Sequence, residues 1–114
     1  MPRRWPIKYS LKQMERGEQV PKAYWIAHVT ITDPDAYAGY QALAPSAFLE
    51  FGARFLARGG TADSCEGHAF ERHVVIEFDT LEKARACYAS NEYQTAKANR
   101  DGACEAHVTL VEGI

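Results

Sequence analysis

Ala23-Tyr24-Trp25-Ile26-Ala27-His28-Val29-Thr30-Ile31-Thr32, followed by Asp33-Pro34-Asp35, joins a strand patterned on both faces to the start of a helix. At a period of two, Trp25, Ala27, Val29 and Ile31 point one way, and Tyr24, Ile26, His28 and Thr30 the other. Asp33 is a good N-cap, and Pro34 suits the first helical position, where its missing N–H costs nothing. A small protein with one sheet covers only one sheet face with its own helices. The second, half-polar face is therefore where a partner or ligand is to be sought.

Downstream, Tyr37, Tyr40, Ala44, Ala47, Phe48 and Phe51 recur at steps of three and four, the stripe of a helix lying on a sheet. Pro45 lacks an N–H and crowds the carbonyl of Gln41, so it is expected to kink or divide this helix, and Gly52 to stop it. A second strand, Arg54-Phe55-Leu56-Ala57-Arg58, ends in Gly59-Gly60, a pair that permits a bulge or a close backbone approach. Residues 61 to 71 read as polar turns, and His73 to Phe78 as a third strand. Asp79-Thr80 is expected to cap the next helix, with Glu82 placed for a capping box with Asp79 and with Leu81, Ala84 and Tyr88 facing inward. Ser90-Asn91 breaks it, a helical segment follows over about 92 to 100, and the last strand runs from Glu105 to Glu112.

Strand, helix, strand, strand, helix, strand is the order of the ferredoxin-like βαββαβ unit, an α+β fold with a four-stranded antiparallel sheet. Its usual arrangement puts the first and third strands in the centre, the fourth beside the first, and both helices on one face. The other face then holds Tyr24, Ile26, His28, Thr30, Val75, Glu77, His107, Thr109 and Val111, too apolar for water and too polar for a plain core. A second copy of the sheet would cover it, making a homodimer the expected assembly.

The chain has 114 residues, 46% of them hydrophobic, which suits one domain with a modest core. Residues 1–21, with Pro2, Pro6 and Pro21 around a polar run, read as an N-terminal extension, and 22–114 as the domain. A net charge of -2 with no basic run longer than Arg3-Arg4 gives no footprint for nucleic acid. No segment is long and apolar enough for a signal peptide or a membrane span, so a cytoplasmic location is expected. Cys65, Cys87 and Cys104 are odd in number and lack C-x-x-C spacing, so they read as reduced thiols. Cys87 falls in an apolar helical pattern, whereas acids flanking Cys65 oppose its use as a thiolate nucleophile. Phosphate-loop, G-x-G-x-x-G, G-x-S-x-G and H-E-x-x-H motifs are absent, which leaves nucleotide, serine-hydrolase and zinc-protease readings without support, and no cofactor is expected.

On Ala23-Tyr24-Trp25-Ile26-Ala27, Thr32-Asp33-Pro34, Phe55-Leu56-Ala57-Arg58-Gly59-Gly60, Val75-Ile76-Glu77-Phe78, Ser90-Asn91-Glu92-Tyr93 and Leu110-Val111-Glu112-Gly113, the chain resembles the domain-of-unknown-function 1330 family of the dimeric α+β barrel superfamily. The resemblance covers about residues 22 to 114. It implies a ferredoxin-like protomer that pairs its sheet with a partner's, and a small cavity between sheet and helices or inside the barrel. It implies no activity, because the superfamily mixes cofactor-free monooxygenases, lactone isomerases, haem enzymes and non-catalytic binding modules. Asn91 stands where relatives usually show proline, and His28 where the family often carries arginine or another polar residue, so a histidine-based site would be a local speciality.

Three groups of residues have chemical potential. His28, His107 and Glu77 share the predicted open face and form the catalytic candidate, an acid–base cluster in which a carboxylate fixes an imidazole tautomer. The competing reading makes them polar filling of a wet dimer interface. Two imidazoles and a carboxylate also suit a metal, but strand spacing alone does not establish ligand geometry, and no metal is expected. Arg58 before Gly59 and Gly60 suits a bidentate grip on a carboxylate, with the glycines letting a ligand approach; an ion pair with Glu77 or a partner's acid competes for it. Tyr40, with Tyr37, is placed to line a cavity, and His68 and His73 are expected to be solvated. The leading functional reading is a small homodimer that binds a carboxylated or aromatic molecule at a sheet pocket. The alternatives are a cofactor-free enzyme working by proton transfer or oxygenation through His28, His107 or Tyr40, and a structural or interaction module.

Overall fold

The structure, a computed structural model, describes residues 20–114; the expected extension lies outside the described residues except for Val20 and Pro21. In chain order the elements are β1 (Ala23–Ile31), α1 (Pro34–Glu50), β2 (Arg54–Arg58), β3 (Arg72–Phe78), α2 (Leu81–Ala89), α3 (Asn91–Ala98) and β4 (Cys104–Glu112). The strands form one antiparallel sheet in the order β2-β3-β1-β4. This is the ferredoxin-like arrangement, with the two central strands the sequence pattern assigns.

Local chemistry sets most boundaries. The Asp33 carboxylate accepts from the Ala36 N–H at 3.2 Å, and Pro34 opens α1. At the other end Gly52, at φ +70°, donates to the Leu49 carbonyl while Ala53 donates to that of Phe48, the paired bonds of a Schellman stop. Of the two outcomes expected at Pro45, a kink or a division, the division does not occur, and α1 continues through it to Glu50. A proline inside a helix costs about 3 kcal/mol, but Tyr37, Ala44, Ala47 and Phe48 are all buried along this helix, and that packing outweighs the local penalty. The capping box at Asp79 is also corrected. Thr80 is the N-cap of α2, accepting from the Lys83 N–H at 3.1 Å, and Asp79 instead takes part in ion pairs with Lys22, Arg54 and Lys83. Ser90 both ends α2 and caps α3, donating to the Cys87 carbonyl at 2.6 Å and accepting from the Tyr93 N–H at 3.1 Å.

The core lies on one sheet face. Trp25 is 1% exposed; its ring meets Phe48 and Tyr93 edge-on at 4.9 and 4.8 Å, Tyr88 at 5.7 Å, and stacks on Phe78 at 6.1 Å. One side chain thus ties β1 to α1, α2, α3 and β3. Cys87 is buried in the same cluster, and burial pushes its thiol up to about 12, consistent with an inert core residue. We expect Trp25→Ala to cost about 3–5 kcal/mol, seen as a lowered denaturant midpoint or outright loss of the cooperative transition; a variant within 1 kcal/mol of the parent (roughly the error of such a measurement) would refute this placement.

Candidate functional site

A β-bulge decides what the helix-side cavity contains. β2 pairs Arg54 with Glu77 and Phe55 with Ile76, then skips Leu56 and resumes with Ala57 opposite Val75 and Arg58 opposite Val74. Strict alternation from Arg54 would have sent Arg58 to the open face with Arg54. The extra residue, Leu56, is 57% exposed, and the register shift turns Arg58 toward the helices.

Between sheet and helices lies a cavity of about 80 Å³, room for a few waters or the apolar part of a small molecule. Trp25, Ala27, Val29, Ile76 and Val108 line it from the sheet, and Tyr37, Tyr40, Ala44, Pro45 and Phe48 from α1. Its charged lining is Arg58, Arg72 and Arg100, and no Asp or Glu lines it. Arg58 lies 4.2 Å over the Phe55 ring. Arg100, from the turn after α3, lies 4.9 Å over the Tyr40 ring and donates to Tyr93 Oη at 3.4 Å and Cys104 Sγ at 3.5 Å. Burial opposes the charge of Arg100, but its bonds to Tyr93 and Cys104 more than offset this, and its pKa is raised. Tyr40 and Tyr93 hydroxyls are 3.0 Å apart. Burial, then the neighbouring Tyr93, pushes the Tyr40 phenol well above its ordinary value, so it stays protonated and serves as a donor rather than a base.

Gly59 also takes part. Its φ is +70°, and a Cβ there would lie 2.3 Å from Arg72 Nη1, so the guanidinium rests where any side chain at this position would stand. Nothing lies within 4 Å of a Cβ built at Gly60.

The open face carries a separate group. His28 is opposite His73 on β3 and His107 on β4, and His28 Nδ1 and His73 Nδ1 are 2.8 Å apart. One ring must hold its proton on Nδ1 while the other offers a bare nitrogen. Phe70, in the segment before β3, lies 5.8 Å from His28, 4.5 Å from His68 and 4.7 Å from His107. Glu105 reaches both His68 and His107 at 3.6 Å, and the Glu71 N–H donates to Thr30 Oγ1 at 3.3 Å, fastening this segment to β1. All four histidines of the chain gather here. Among the described residues, no group of three or more His, Cys, Asp and Glu is arranged to hold a metal ion.

The structure therefore brings His28 and His107 together but leaves Glu77 apart. Glu77 is opposite Tyr24, four residues along β1 from His28, about 13 Å at strand rise. It accepts from Arg54 Nε at 2.9 Å and from the Tyr24 hydroxyl at 3.3 Å. Arg54, not Arg58, is its ionic partner. His73, expected in solvent, instead faces His28, half-buried. Tyr40 and Arg58 both line the cavity, on the face opposite to the histidines. Sequence reading missed Arg72 as a cavity residue; a basic residue at the start of the third strand, on the Val74 side, was the available signal. Arg100 lines the cavity, whereas Tyr93 is fully buried behind it, bonded to Tyr40.

The sequence profile described as Domain of unknown function (DUF1330) matches residues 22–114. No curated protein matches the chain by sequence. A protein of unknown function from Rhodopseudomonas palustris is similar in structure, with a TM-score of 0.69 at 14% identity over 96% of this chain and 95% of that one. A dimeric protein of unknown function with a ferredoxin-like fold from Bacteroides fragilis gives 0.56 at 11% identity, covering 81% of this chain and 96% of that one. The cofactor-independent oxygenase SnoaB from Streptomyces nogalater gives 0.56 at 9% identity, covering 82% of this chain and 94% of that one. At these identities the likeness is one of fold. No helix among the described residues is long and apolar enough to cross a membrane.

The open-face ion pairs carry a pH signature. The Arg54 hydrogen bond, first among several causes, lowers the carboxyl pKa of both Glu77 and Asp79. A carboxylate lowered in the folded state contributes stability above its unfolded value, near 4, and loses it as pH falls through the folded value. Arg54→Gln is thus expected to melt below the parent at pH 7, with the gap narrowing as pH falls below about 4; a gap that does not change across thermal melts from pH 7 to 3 would refute the pairing.

Proposed function

This chain belongs to the DUF1330 family, and we propose that it acts as a homodimer that binds a small carboxylated or aromatic molecule in the cavity between sheet and helices. One observation carries the ligand reading: an apolar pocket lined by three guanidiniums and by no carboxylate. Apolar walls with a few convergent polar groups are the ordinary composition of a small-molecule site. Arg58 and Arg72 supply planar, permanently charged donors suited to an acid group. With Arg100 donating to Tyr93, the arrangement in which Tyr93 donates to Tyr40 leaves the Tyr40 O–H free to donate to the same acid.

Acid–base catalysis is less well supported. The fold is shared with a cofactor-independent oxygenase, but no histidine or carboxylate lines this cavity, and its phenols Tyr37 and Tyr40 are both pushed away from ionisation by burial. His28 and His107 lie across the sheet from it. A general base must come within hydrogen-bond reach of the proton it abstracts, and none here does.

The homodimer rests on the open face, where Ile26 and Val75 are half-buried, Val111 is 43% exposed, and polar and apolar side chains mix. A dimeric structural neighbour supports it. Ile26→Glu should give a folded monomer in light scattering at micromolar concentration, because it places a charge in the middle of the proposed interface and leaves the helix side untouched; a variant that stays dimeric would count against this facing.

Titration calorimetry with benzoate, phenylacetate and short aliphatic acids tests the ligand reading. Tyr40→Phe, which keeps the ring and removes one donor, is expected to weaken binding by about 3- to 10-fold. If no acid binds, or if Tyr40→Phe binds them all as the parent does, the reading fails.

A further inference from the structure

Resting on that reading of the cavity, we propose that its natural ligand carries a dianionic head, either two carboxylates or one phosphate- or phosphonate-type group. Arg58 and Arg72 come from the facing ends of β2 and β3, and Arg100 from the turn leading into β4. Strand register places Arg72 and Ala106 on either side of Val29, and Cys104, which Arg100 touches, opposite Ile31. The three positive groups therefore share one end of the cavity, while its other end is the aromatic floor around Trp25.

None of the three is neutralised within the described residues. Packing and neutral acceptors hold them: Arg58 on the Phe55 ring, Arg72 against Gly59, Arg100 on the Tyr40 ring with Tyr93 and Cys104. Carboxylates are not scarce in this chain, which has 15 Asp and Glu against 13 Lys and Arg. On the open face Arg54 alone takes two of them. Three unpaired guanidiniums at one end of an apolar pocket repel one another, more strongly there than in bulk water. A monocarboxylate entering this end leaves a surplus of two positive charges, whereas a dianion leaves one and uses bidentate donors from more than one arginine. Gly59 matters because its missing side chain lets the Arg72 guanidinium lie beside the strand end rather than swing into solvent.

The test compares ligands of one skeleton at pH 8 and fixed ionic strength: benzoate as monoanion, isophthalate as dicarboxylate and phenylphosphonate as a single doubly charged group. We expect at least one dianion to bind about tenfold or more tightly than benzoate, with a preference that falls as salt rises. Arg72→Gln and, separately, the exposed Arg58→Gln should each remove most of that preference while benzoate affinity drops only a few-fold; circular dichroism melts confirm that each variant is folded. Which dianion wins identifies the head group as dicarboxylate or phosphonate-like. Equal affinity for benzoate and both dianions, or a preference that survives both substitutions, overturns the inference while leaving the acid-binding cavity in place. Failure of all three ligands to bind overturns the reading of the cavity itself.

Discussion

The indole of Trp25 is the contact on which the rest of the protomer depends. It rises from the central strand into a cage made by Phe48, Phe78, Tyr88 and Tyr93, so the positions of α1, α2 and α3 over the sheet follow from one ring. Because β1 alternates strictly, committing Trp25 to that side sends Tyr24, Ile26 and His28 to the other. The cavity exists where the cage stops: beyond Trp25, toward Val29 and Ala106, the sheet residues shrink and the arginines begin. A larger side chain at Ala27 or Ala106 would close this space, so the small residues here belong to the site as much as the charged ones do.

The second determinant is a single surplus residue. Without the bulge at Leu56, Arg58 would sit on the open face opposite His73, and the cavity would lose one of its three cations. With it, the two arginines of one five-residue strand serve opposite faces. Arg54 goes to a carboxylate network and Arg58 to a pocket without carboxylates. The same short strand hands the chain to Gly59, whose left-handed backbone leaves room for Arg72.

Legibility in the sequence follows the range of the interaction that sets each feature. The alternation of β1, the Asp33-Pro34 helix start and the Gly52 stop are written in a few adjacent residues, so the fold and the division of faces can be read directly. Pro45 misleads because its local cost is visible while the packing of Phe48 and Ala47 that overrides it is not. Arg58 misleads for a related reason: Gly59-Gly60 announces irregular backbone, but the skipped residue lies before the glycines, at Leu56, and only pairing with β3 reveals it. Tyr93 and Arg100 join Tyr40 through contacts 53 and 7 residues apart in sequence, which no spacing rule connects. His73 was hidden by a turn-like neighbourhood, although its β3 position opposite His28 follows once register is known.

A sheet one layer thick keeps two kinds of chemistry apart. Imidazoles are gathered on the open face around Phe70, and permanent cations with protonated phenols are gathered under the helices. A ligand in the cavity therefore meets donors whose charge does not vary across physiological pH, a condition for steady binding of an anion rather than for proton exchange with it. The histidine patch lies on the sheet face opposite the cavity. The two faces share only the backbone of the four strands, so substitutions on one are expected to leave the other's readout unchanged, and that independence separates a binding protein with a wet interface from an enzyme whose base and pocket must meet.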